Sequence, residues 1–458
     1  MSTADLARRL IHDARSELPT DPRISAELAA CERRLDEPLR VALAGTLKAG
    51  KSTLLNALVG EEIAPTDATE CTQVVTWFSH SATPRVDLTH NGGQHTSLPV
   101  RRIDGRLRLD LGPVSADRVE RLEVGWPSAL LDQYTLIDTP GTSSNSSDVS
   151  ARTLAFLAPD EGSCHADAIV YLTRSLHSND VALLRTLYEQ AGTGRGALGI
   201  VTVLSRADET SAGELDRGFV PVSGLLALRG RTLRQREFTT LVLLAALPDG
   251  ILEAALVSPG RLVTTDLPIS PSDRETLLTA FGMVGTRIAL SLIRSGARDA
   301  PTLAAELVRY SGLDQLRETL RARFGGRHRQ LKAHSALRTL RAVLLRHRSP
   351  HAVRTFRTVD RLLADNHCFT ELQVLAGLPA LPIPEPTRTA LDHVLGGRGI
   401  SPATRLGLPP DTIRSHTRAA ALHAIRYWRD QLSDPLLDQP TARTYQAAIR
   451  SCEAIIAG

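Results

Sequence analysis

Residues 45–52, with the sequence GTLKAGKS, lie between a short run of strand-forming residues and a stretch that carries leucines at helical spacing. Glycines allow a backbone to curl until several N–H groups point at one place, and the following helix adds the positive end of its dipole. A strand, a loop and a helix in this order favour a site for the phosphates of a nucleotide. A chance match in a glycine-containing turn is the alternative, and the two flanking elements disfavour it.

The side chains of this loop are expected to have separate roles. Lys51 would place its charge beside the β- and γ-phosphates, and the hydroxyl of Ser52 would bind Mg²⁺. Thr53 follows as an accessory capping residue. The other predicted nucleotide contacts within the loop are Gly45, Leu47, Lys48, Ala49 and Gly50.

A second turn, Asp138-Thr139-Pro140-Gly141, ends a predicted strand at 134–137. Asp138 would stand beside the magnesium ion as a metal ligand, usually through water, and the N–H of Gly141 would face the γ-phosphate. Asp and Thr also cap ordinary turns, so in isolation neither interpretation is favoured. The phosphate loop upstream favours a role in nucleotide binding.

A polar loop between these two turns, residues 65–73, holds three threonines. Nucleotide switches keep a threonine at this place in the order of motifs, and it closes onto the metal in the triphosphate state. From the residues alone, Thr66, Thr69 and Thr72 are all candidates for this switch threonine.

The base of the nucleotide is predicted to be recognised by Ser205-Arg206-Ala207-Asp208, which directly follows a strand at 199–204. The carboxylate of Asp208 can accept hydrogen bonds from N1–H and the 2-amino group of guanine but finds no match on adenine, which favours GTP over ATP. The stem and guanidinium of Arg206 can cover the face of the base. If Asp208 were only a helix cap, the motif would not exclude an ATPase.

The last predicted contact with the base lies at Pro221-Val222-Ser223-Gly224, where another strand ends. The backbone N–H of Ser223 or Gly224 would meet the carbonyl oxygen of guanine. The interval from Asp208 to Ser223 is short for a connecting helix plus a strand, so we expect a shortened connection on this side of the head.

Strand and helix patterns alternate up to about residue 229, and helical periodicity takes over beyond it. This order predicts an α/β P-loop head, with a mixed, mostly parallel sheet and helices on both faces, joined to an all-α helical stalk. Three runs are expected to join the sheet as antiparallel strands: 74–78, 106–109 and 122–124. The expected domains are N-terminal helices at 1–38, the head at 39–230, its end and a helical connection at 231–325, and the stalk at 326–458.

Composition narrows the class of protein further. The 458 residues are 42% hydrophobic, 23% charged and 4% aromatic, with a formal charge of +4. Since the basic residues are scattered and aromatic residues are few, we expect no nucleic-acid partner. Five dispersed cysteines without zinc-ligand spacing favour a reduced, cytoplasmic protein. The best apolar stretch, 241–247, is broken by Pro248, so we expect no membrane-spanning helix.

The phosphate loop, together with APTDATECTQVVTWF, DTPGTSS, VLSRADE and VPVSGLLAL, resembles the corresponding segments of bacterial dynamin-like proteins, in particular their isoniazid-inducible branch. The likeness covers about residues 40–228 and extends more loosely through YSGLDQLRETLRARF at 310–324. It implies a large GTPase that hydrolyses Mg-GTP to GDP and phosphate as heads associate into a homodimer or larger homo-oligomer. It also implies membrane remodelling or maintenance, from the cytoplasm or peripherally on the inner face of the plasma membrane, and it favours Thr72 as the switch threonine and metal ligand.

Two departures from the family pattern concern catalysis and membrane binding. Family members often carry a polar pair that orients the attacking water where this chain has Leu47 and Lys48, and Leu47 cannot do so. Lys48 stands where related large GTPases place an internal arginine finger, so Lys48, Lys51 and Thr72 are the predicted catalytic residues, with a merely solvated Lys48 as the alternative. The stalk has no obvious apolar paddle, and its candidate contacts with an anionic membrane are Leu378, Leu381 and Ile383 in one loop and the basic faces at 323–334 and 338–347.

A second function is compatible with the same motifs. The chain could be a regulatory GTP-binding switch with slow turnover that docks a protein partner through its helical C-terminus. A switch would hydrolyse GTP slowly at any protein concentration, whereas activity per molecule should rise with concentration in a dynamin-like enzyme.

Overall fold

The computed structural model describes residues 2–66, 74–103, 105–112, 114–141, 156–157, 165–174, 178–194, 196–209 and 219–458. Its strands are β1 (Leu39–Gly45), β2 (Thr76–His80), β3 (Arg85–His90), β4 (His95–Leu98), β5 (Arg101–Ile103), β6 (Arg106–Arg108), β7 (Val119–Trp126), β8 (Tyr134–Asp138), β9 (Ala168–Thr173), β10 (Gly199–Ser205) and β11 (Val220–Val222). One sheet has nine strands in the order β11-β10-β9-β1-β8-β2-β7-β3-β4, and β5 pairs with β6 separately.

The helices up to the end of the sheet region are α1 (Thr3–Glu17), α2 (Pro22–Asp36), α3 (Lys51–Val59), α4 (Ala129–Gln133), α5 (Ser178–Gly192) and α6 (Gly224–Thr232). A first set of later helices is α7 (Gln235–Ala245), α8 (Asp249–Ala255), α9 (Pro259–Thr264), α10 (Pro271–Arg294), α11 (Ala300–Tyr310) and α12 (Leu313–Arg323). The remaining helices are α13 (His328–Arg346), α14 (Val353–Asp365), α15 (His367–Gly377), α16 (Glu385–Val394), α17 (Pro402–Arg405), α18 (Arg414–Leu432) and α19 (Gln439–Ala457).

Strand β1 lies between β8 and β9 and runs parallel to both. Parallel pairing continues from β9 to β10 and β11. In this register Leu43 lies beside Asp138, and Gly45 lies beside Leu172. The carboxyl ends of the parallel strands therefore meet at one edge of the sheet, which is where open α/β folds bind their ligands.

The two faces of β1 belong to two different cores, as the two-residue period of a strand requires. Val41 and Leu43 lie in the core that contains the buried residues of α3, whereas Ala42 and Ala44 lie in the core that contains those of α5. Helices thus cover both faces of a mixed, mostly parallel sheet, and every element from α6 onwards is helical. The predicted fold class is confirmed.

The predicted antiparallel additions to the sheet were wrong in two respects. β2 pairs antiparallel with β8 but parallel with β7. β6 does not join the large sheet, because it forms a short hairpin with β5 instead. The interval between Ile103 and Arg106 is long enough only for a tight turn, so the local hairpin takes precedence over pairing with the large sheet.

The N-terminal helices α1 and α2 pack against α13, so the two ends of the helical region share one body. Ile11, Leu28 and Leu337 are fully or almost fully buried within this contact. The chain crosses between this body and the head twice, once before β1 and once between α12 and α13. Lys332 on α13 donates a 2.9 Å hydrogen bond to the carbonyl of Glu37, which ties the two crossings together.

The loop and faces that were expected to contact a membrane are largely occupied within the protein. Leu378 and Ile383 are buried in the same core as the C-terminal helices α18 and α19. Arg327 and His334, from the first basic face, are also buried. In the second face Arg346 pairs with Glu27 of α2 at 2.9 Å. The expected membrane contact at Leu378 and Ile383 is therefore corrected, whereas the basic faces also keep exposed residues, such as Arg329.

Helices α7 to α10 form a separate core next to α6 and α11. Within the described residues, α10 is the one helix long and apolar enough to cross a membrane by length and composition alone, and 39% of its most apolar window is buried. This apolar stretch is longer than the run at 241–247 and was not predicted from the sequence. The helical conformation of α10 is interrupted in the middle, because Gly282 has φ 65° and ψ 178°.

Candidate functional site

The loop between β1 and α3 is shaped by two glycines with positive φ. Gly45 has φ +144°, and a Cβ atom placed there would lie 2.1 Å from the carbonyl oxygen of Leu172 on the neighbouring strand. Gly50 has φ +90° and forms the N-cap of α3. Residues with side chains rarely adopt these values of φ, and the first position also lacks space for one. The curl predicted for residues 45–52 therefore depends on glycine at both ends.

Lys51, at the first position of α3, folds back over this loop. Its Nζ donates to the carbonyl oxygens of Gly45 and Thr46 at 3.1 and 3.2 Å. Burial lowers the pKa of Lys51, and the charge of Asp138 opposes this shift. The ammonium group is thus held at the centre of the loop by carbonyl oxygens that a more strongly charged acceptor can replace.

Ser52 and Asp138 meet at the end of the neighbouring strands β1 and β8. The Ser52 hydroxyl donates a 2.6 Å hydrogen bond to Oδ2 of Asp138. Burial raises the pKa of Asp138, although Lys51 and Ser52 both act in the opposite direction. Its Oδ1 atom is buried without a hydrogen-bond partner in the described part of the chain. An unsatisfied buried carboxylate oxygen beside a serine hydroxyl is a donor set that suits a hard cation such as Mg²⁺.

A metal held by several protein side chains is not found in the described residues, because no group of three or more His, Cys, Asp or Glu side chains is suitably placed there. A nucleotide-bound Mg²⁺ ion needs only one or two protein ligands, because water and phosphate oxygens complete its shell. Ser52 and Asp138 therefore fit the predicted metal site. Thr72, the third predicted ligand, lies outside the described residues.

The turn after β8 packs against the phosphate loop. Thr139 is buried, and its hydroxyl donates to the carbonyl of Leu43 at 2.8 Å. A Cβ atom on Gly141 would lie 2.9 Å from the Cα atom of Leu47, so only glycine allows the two turns this approach. The predicted γ-phosphate contact at Gly141 is thereby brought beside the phosphate loop.

Leu47 and Lys48 lie at the outer side of the loop. The side chain of Leu47 is exposed, as is that of Lys48. Lys48 has φ +61°, a left-handed conformation that costs a residue with a side chain about 1–2 kcal/mol. The loop therefore holds a strained lysine at its rim, facing solvent rather than the sheet.

A cavity of about 390 Å³ extends from the phosphate loop to the predicted reader of the base. Ala49, Gly50 and Thr53 line one end, and Arg206 and Asp208 line the other. The Oδ1 atom of Asp208 is buried without a hydrogen-bond partner within the described residues. Asp208 lines the cavity, and an unsatisfied buried carboxylate oxygen is costly unless a ligand supplies donors, which guanine does.

Two of the groups that were predicted to contact the base already make hydrogen bonds within the protein. The hydroxyl of Ser205 donates to the carbonyl of Thr173 at 3.1 Å, so this side chain links β10 to β9. The backbone N–H of Ser223 donates to the carbonyl of Ser311 at 2.8 Å. Ser223 also caps α6 through its side chain, although both serines line the cavity. Of the two predicted backbone donors, Gly224 is therefore the better candidate.

One wall of the cavity was missed by the sequence analysis. Residues 281–285 of α10 line it beside the motifs. Gly282 and Gly285 within an apolar helical stretch were the only signal, since a glycine inside a helix costs stability and marks a kink or a close approach.

A phosphate loop at the carboxyl edge of a mostly parallel sheet, with a cavity for the base beside it, defines a P-loop nucleotide-binding protein. Residues 41–202 match the Dynamin family. The chain is 43% identical to the isoniazid-induced protein IniC of Mycobacterium tuberculosis, in strains CDC 1551 and H37Rv, over 100% of this chain and 99% of the relative. It therefore belongs to the dynamin family, in the branch of the isoniazid-induced proteins, and is a GTP-hydrolysing enzyme.

Other similarities are shorter or more remote. The isoniazid-induced protein IniA of M. tuberculosis is 40% identical over 24% of this chain and 18% of its own length. A bacterial dynamin-like protein of Nostoc punctiforme is 30% identical over 22% of this chain and 16% of its own. A solved chain of an oligomerised bacterial dynamin pair aligns with 99% of this chain and 74% of its own, at 14% identity and a TM-score of 0.35.

Proposed function

We propose that this enzyme binds Mg-GTP between the phosphate loop and the cavity of Asp208, and hydrolyses it as two heads associate on the cytoplasmic side of a membrane. The observation that supports the site most strongly is the pair of unsatisfied buried carboxylate oxygens, one on Asp138 and one on Asp208. They lie at the phosphate end and at the base end of the same site. Each requires a partner of the kind that Mg-GTP provides.

At the phosphate end, Lys51 exchanges its two carbonyl acceptors for phosphate oxygens, which bind a cation more strongly. Ser52 and Asp138 would hold Mg²⁺, which when bound supplies positive charge to the β- and γ-phosphate oxygens. Lys48 adds charge from the rim of the loop, where it stabilises negative charge that develops as the γ-phosphate leaves. Thr72 remains the proposed switch threonine.

At the base end, Asp208 selects guanine. Asp208→Asn should weaken GTP binding by about 2–5 kcal/mol, because truncating one partner of a buried charged hydrogen bond has a cost of this order. The same change should create binding of xanthosine triphosphate, since an amide can donate to the 2-oxo group of xanthine while it accepts from N1–H. Titration of both nucleotides into both proteins tests this. Equal GTP affinity in the two proteins would contradict the assignment of Asp208.

Association of the heads is tested by turnover. We expect the rate of GTP hydrolysis per molecule to rise with protein concentration, and ATP to be hydrolysed much more slowly. A slow rate that does not change with concentration would instead indicate a regulatory switch that docks a protein partner.

Membrane coupling needs an apolar surface other than the loop that was expected from sequence, because Leu378 and Ile383 are buried. Exposed apolar side chains recur on α7, on α8 and in the turn after α8, at Val242, Leu243, Ile251 and Val257. We assign the proposed membrane contact to this segment. Leu436 is still more exposed, at 91%, but it lies between Asp434 and Asp438, whose charge opposes an anionic surface.

Flotation with anionic liposomes tests the assignment. The combined change Leu243→Ser, Ile251→Ser and Val257→Ser should abolish flotation, because it removes apolar side chains that would enter the lipid. Leu436→Ser is the matched control, and it should float like the unchanged protein. Protein that stays at the bottom with and without GTP would contradict membrane binding altogether.

A further inference from the structure

Helix α10 is interrupted in its middle by Gly282, with φ 65° and ψ 178°. This combination of angles is accessible essentially to glycine alone. A Cβ atom at Gly282 would meet only the side chain of Leu225, at 3.8 Å, which is an ordinary contact. Glycine is therefore required here by the backbone conformation and not by lack of space, so the break is a feature that the sequence specifies.

The break lies against the nucleotide cavity. Residues 281–285 line it together with Asp208 and Gly50. The helix also contacts the turn of residues 207–209 that carries Asp208. The phosphate loop, the base-reading turn and the broken helix therefore line the same cavity, together with residues 222–225.

The side chains at the break suit the face of a purine. Met283 and Val284 are half-buried where they line the cavity. A thioether and a branched aliphatic group make favourable contacts with a flat aromatic ring, and the thioether adapts to its shape. Arg206 lines the same cavity from the turn after β10. A base held by Asp208 would contact the broken helix through its apolar face.

The same helix belongs to the core of α7 to α10. Phe281, next to the break, is 1% exposed and lies in one core with Leu241, Leu252 and Leu262 of the three preceding helices. Interiors are close-packed, so a change in the direction of α10 at Gly282 displaces its neighbours as well. A change in the conformation of the break would therefore also move α7, α8 and α9.

We propose that residues 281–285 form the second face of the guanine site, so that nucleotide occupancy and the broken conformation of α10 stabilise each other. This inference rests on the proposed binding of guanine at Asp208. By linkage, whatever straightens or displaces the break weakens nucleotide binding, and bound nucleotide holds the break in place by the same free energy.

Hydrogen exchange of the full-length protein with and without GDP tests the contact directly. GDP should slow exchange in peptides that cover residues 45–53 and also in those that cover residues 278–286. Slower exchange in the phosphate loop without any change at the break would overturn the inference while leaving nucleotide binding intact. No change in either segment would overturn both.

Two glycine substitutions test the coupling. Gly282→Ala should accelerate release of a fluorescent GDP analogue by about fivefold or more, the lower end of typical coupling between sites. Gly296→Ala is the matched control, because Gly296 also has positive φ and open space around it, at the end of the same helix and away from the cavity. It should release the analogue at the original rate. Equal rates in the two variants would overturn the inference.

Met283→Ala avoids the backbone and covers the case in which Gly282→Ala does not fold. Met283 is partly exposed, so its truncation should leave the protein folded, as judged by its thermal transition. It should still speed release of the GDP analogue severalfold, because the apolar face for the base is reduced. An unchanged release rate in a folded Met283→Ala protein would count against the inference.

Discussion

The guanidinium of Arg34 lies 2.7 Å from the carboxylate of Asp167, and both side chains are almost completely buried. Asp167 also accepts a 2.8 Å hydrogen bond from the backbone N–H of Arg40 at the start of β1. One carboxylate therefore joins the second N-terminal helix to two central strands of the head. A buried ion pair of this kind fixes a geometry rather than adding much net stability, but it is costly to break.

Asp167→Asn should lower the free energy of unfolding by about 3–5 kcal/mol, because it leaves the buried charge of Arg34 uncompensated. Arg8→Ala is the control, since Arg8 pairs with Asp36 at a similar 2.8 Å but with both side chains exposed. That change should cost only about 0–1 kcal/mol. Urea denaturation measures both values, and equal costs would contradict this account.

Asp138→Asn should stabilise the nucleotide-free protein at pH 7 while abolishing hydrolysis. Burial raises the pKa of Asp138 above its ordinary value of 3.8, so at neutral pH the folded state carries an ionised group that is more costly there than in the unfolded chain. The gain should shrink as the pH falls through the raised pKa of the folded state, and it should vanish below pH 3.8, where Asp138 is protonated in both states. Urea denaturation at several pH values measures it. A loss of stability in Asp138→Asn at pH 7 would show that burial does not destabilise the ionised carboxylate of Asp138.

His334→Leu should change how stability depends on pH. Burial lowers the pKa of His334 from 6.5 to about 3, assisted by the charge of Arg338. Above pH 6.5 the imidazole is neutral in both the folded and the unfolded state. Between pH 6.5 and pH 3 only the unfolded chain takes up the proton, so the stability decreases as the pH is lowered. The slope is about 1.4 kcal/mol per pH unit. Relative to the unchanged protein, the variant should gain about 2 kcal/mol between pH 7 and pH 5. Parallel curves for the two proteins would contradict the prediction.

Lys48 offers a test that separates charge from strain. Lys48→Ala keeps the left-handed backbone strained and removes the charge, whereas Lys48→Gly removes both and should be more stable by about 1 kcal/mol. If the charge acts in catalysis, both should lower kcat by about 10³-fold or more at unchanged GTP affinity. Lys48→Arg should retain most of the activity. Unchanged turnover in Lys48→Ala would refute a catalytic role.

The parts of the site that sequence could predict are those in which a motif directly follows its strand. Gly45 ends β1, Lys51 and Ser52 follow it, and Asp138 ends β8, so parallel pairing of these strands is enough to bring these residues together. Asp208 follows β10 in the same way. For these residues the local pattern and the topology of the sheet carry all the necessary information.

The parts that sequence could not predict depend on contacts between distant segments. The N–H of Ser223 donates to the carbonyl of Ser311, which follows α11 and is separated from Ser223 by six helices along the chain. The loop with Leu378, Leu381 and Ile383 was expected to contact a membrane, but Leu378 and Ile383 are buried in one core with helices from the end of the chain. The wall at residues 281–285 follows from a break within an apolar helix, and periodicity alone cannot say what such a break faces.

The two crossings between the head and the helical body lie side by side, held by the bond from Lys332 to the carbonyl of Glu37. Buried residues of α13 and α14 also share one core with β1 and β9 of the head, and α15 packs against α5. Because interiors are close-packed, a displacement of the head is transmitted to the helical body through this shared core as well as through the two crossings.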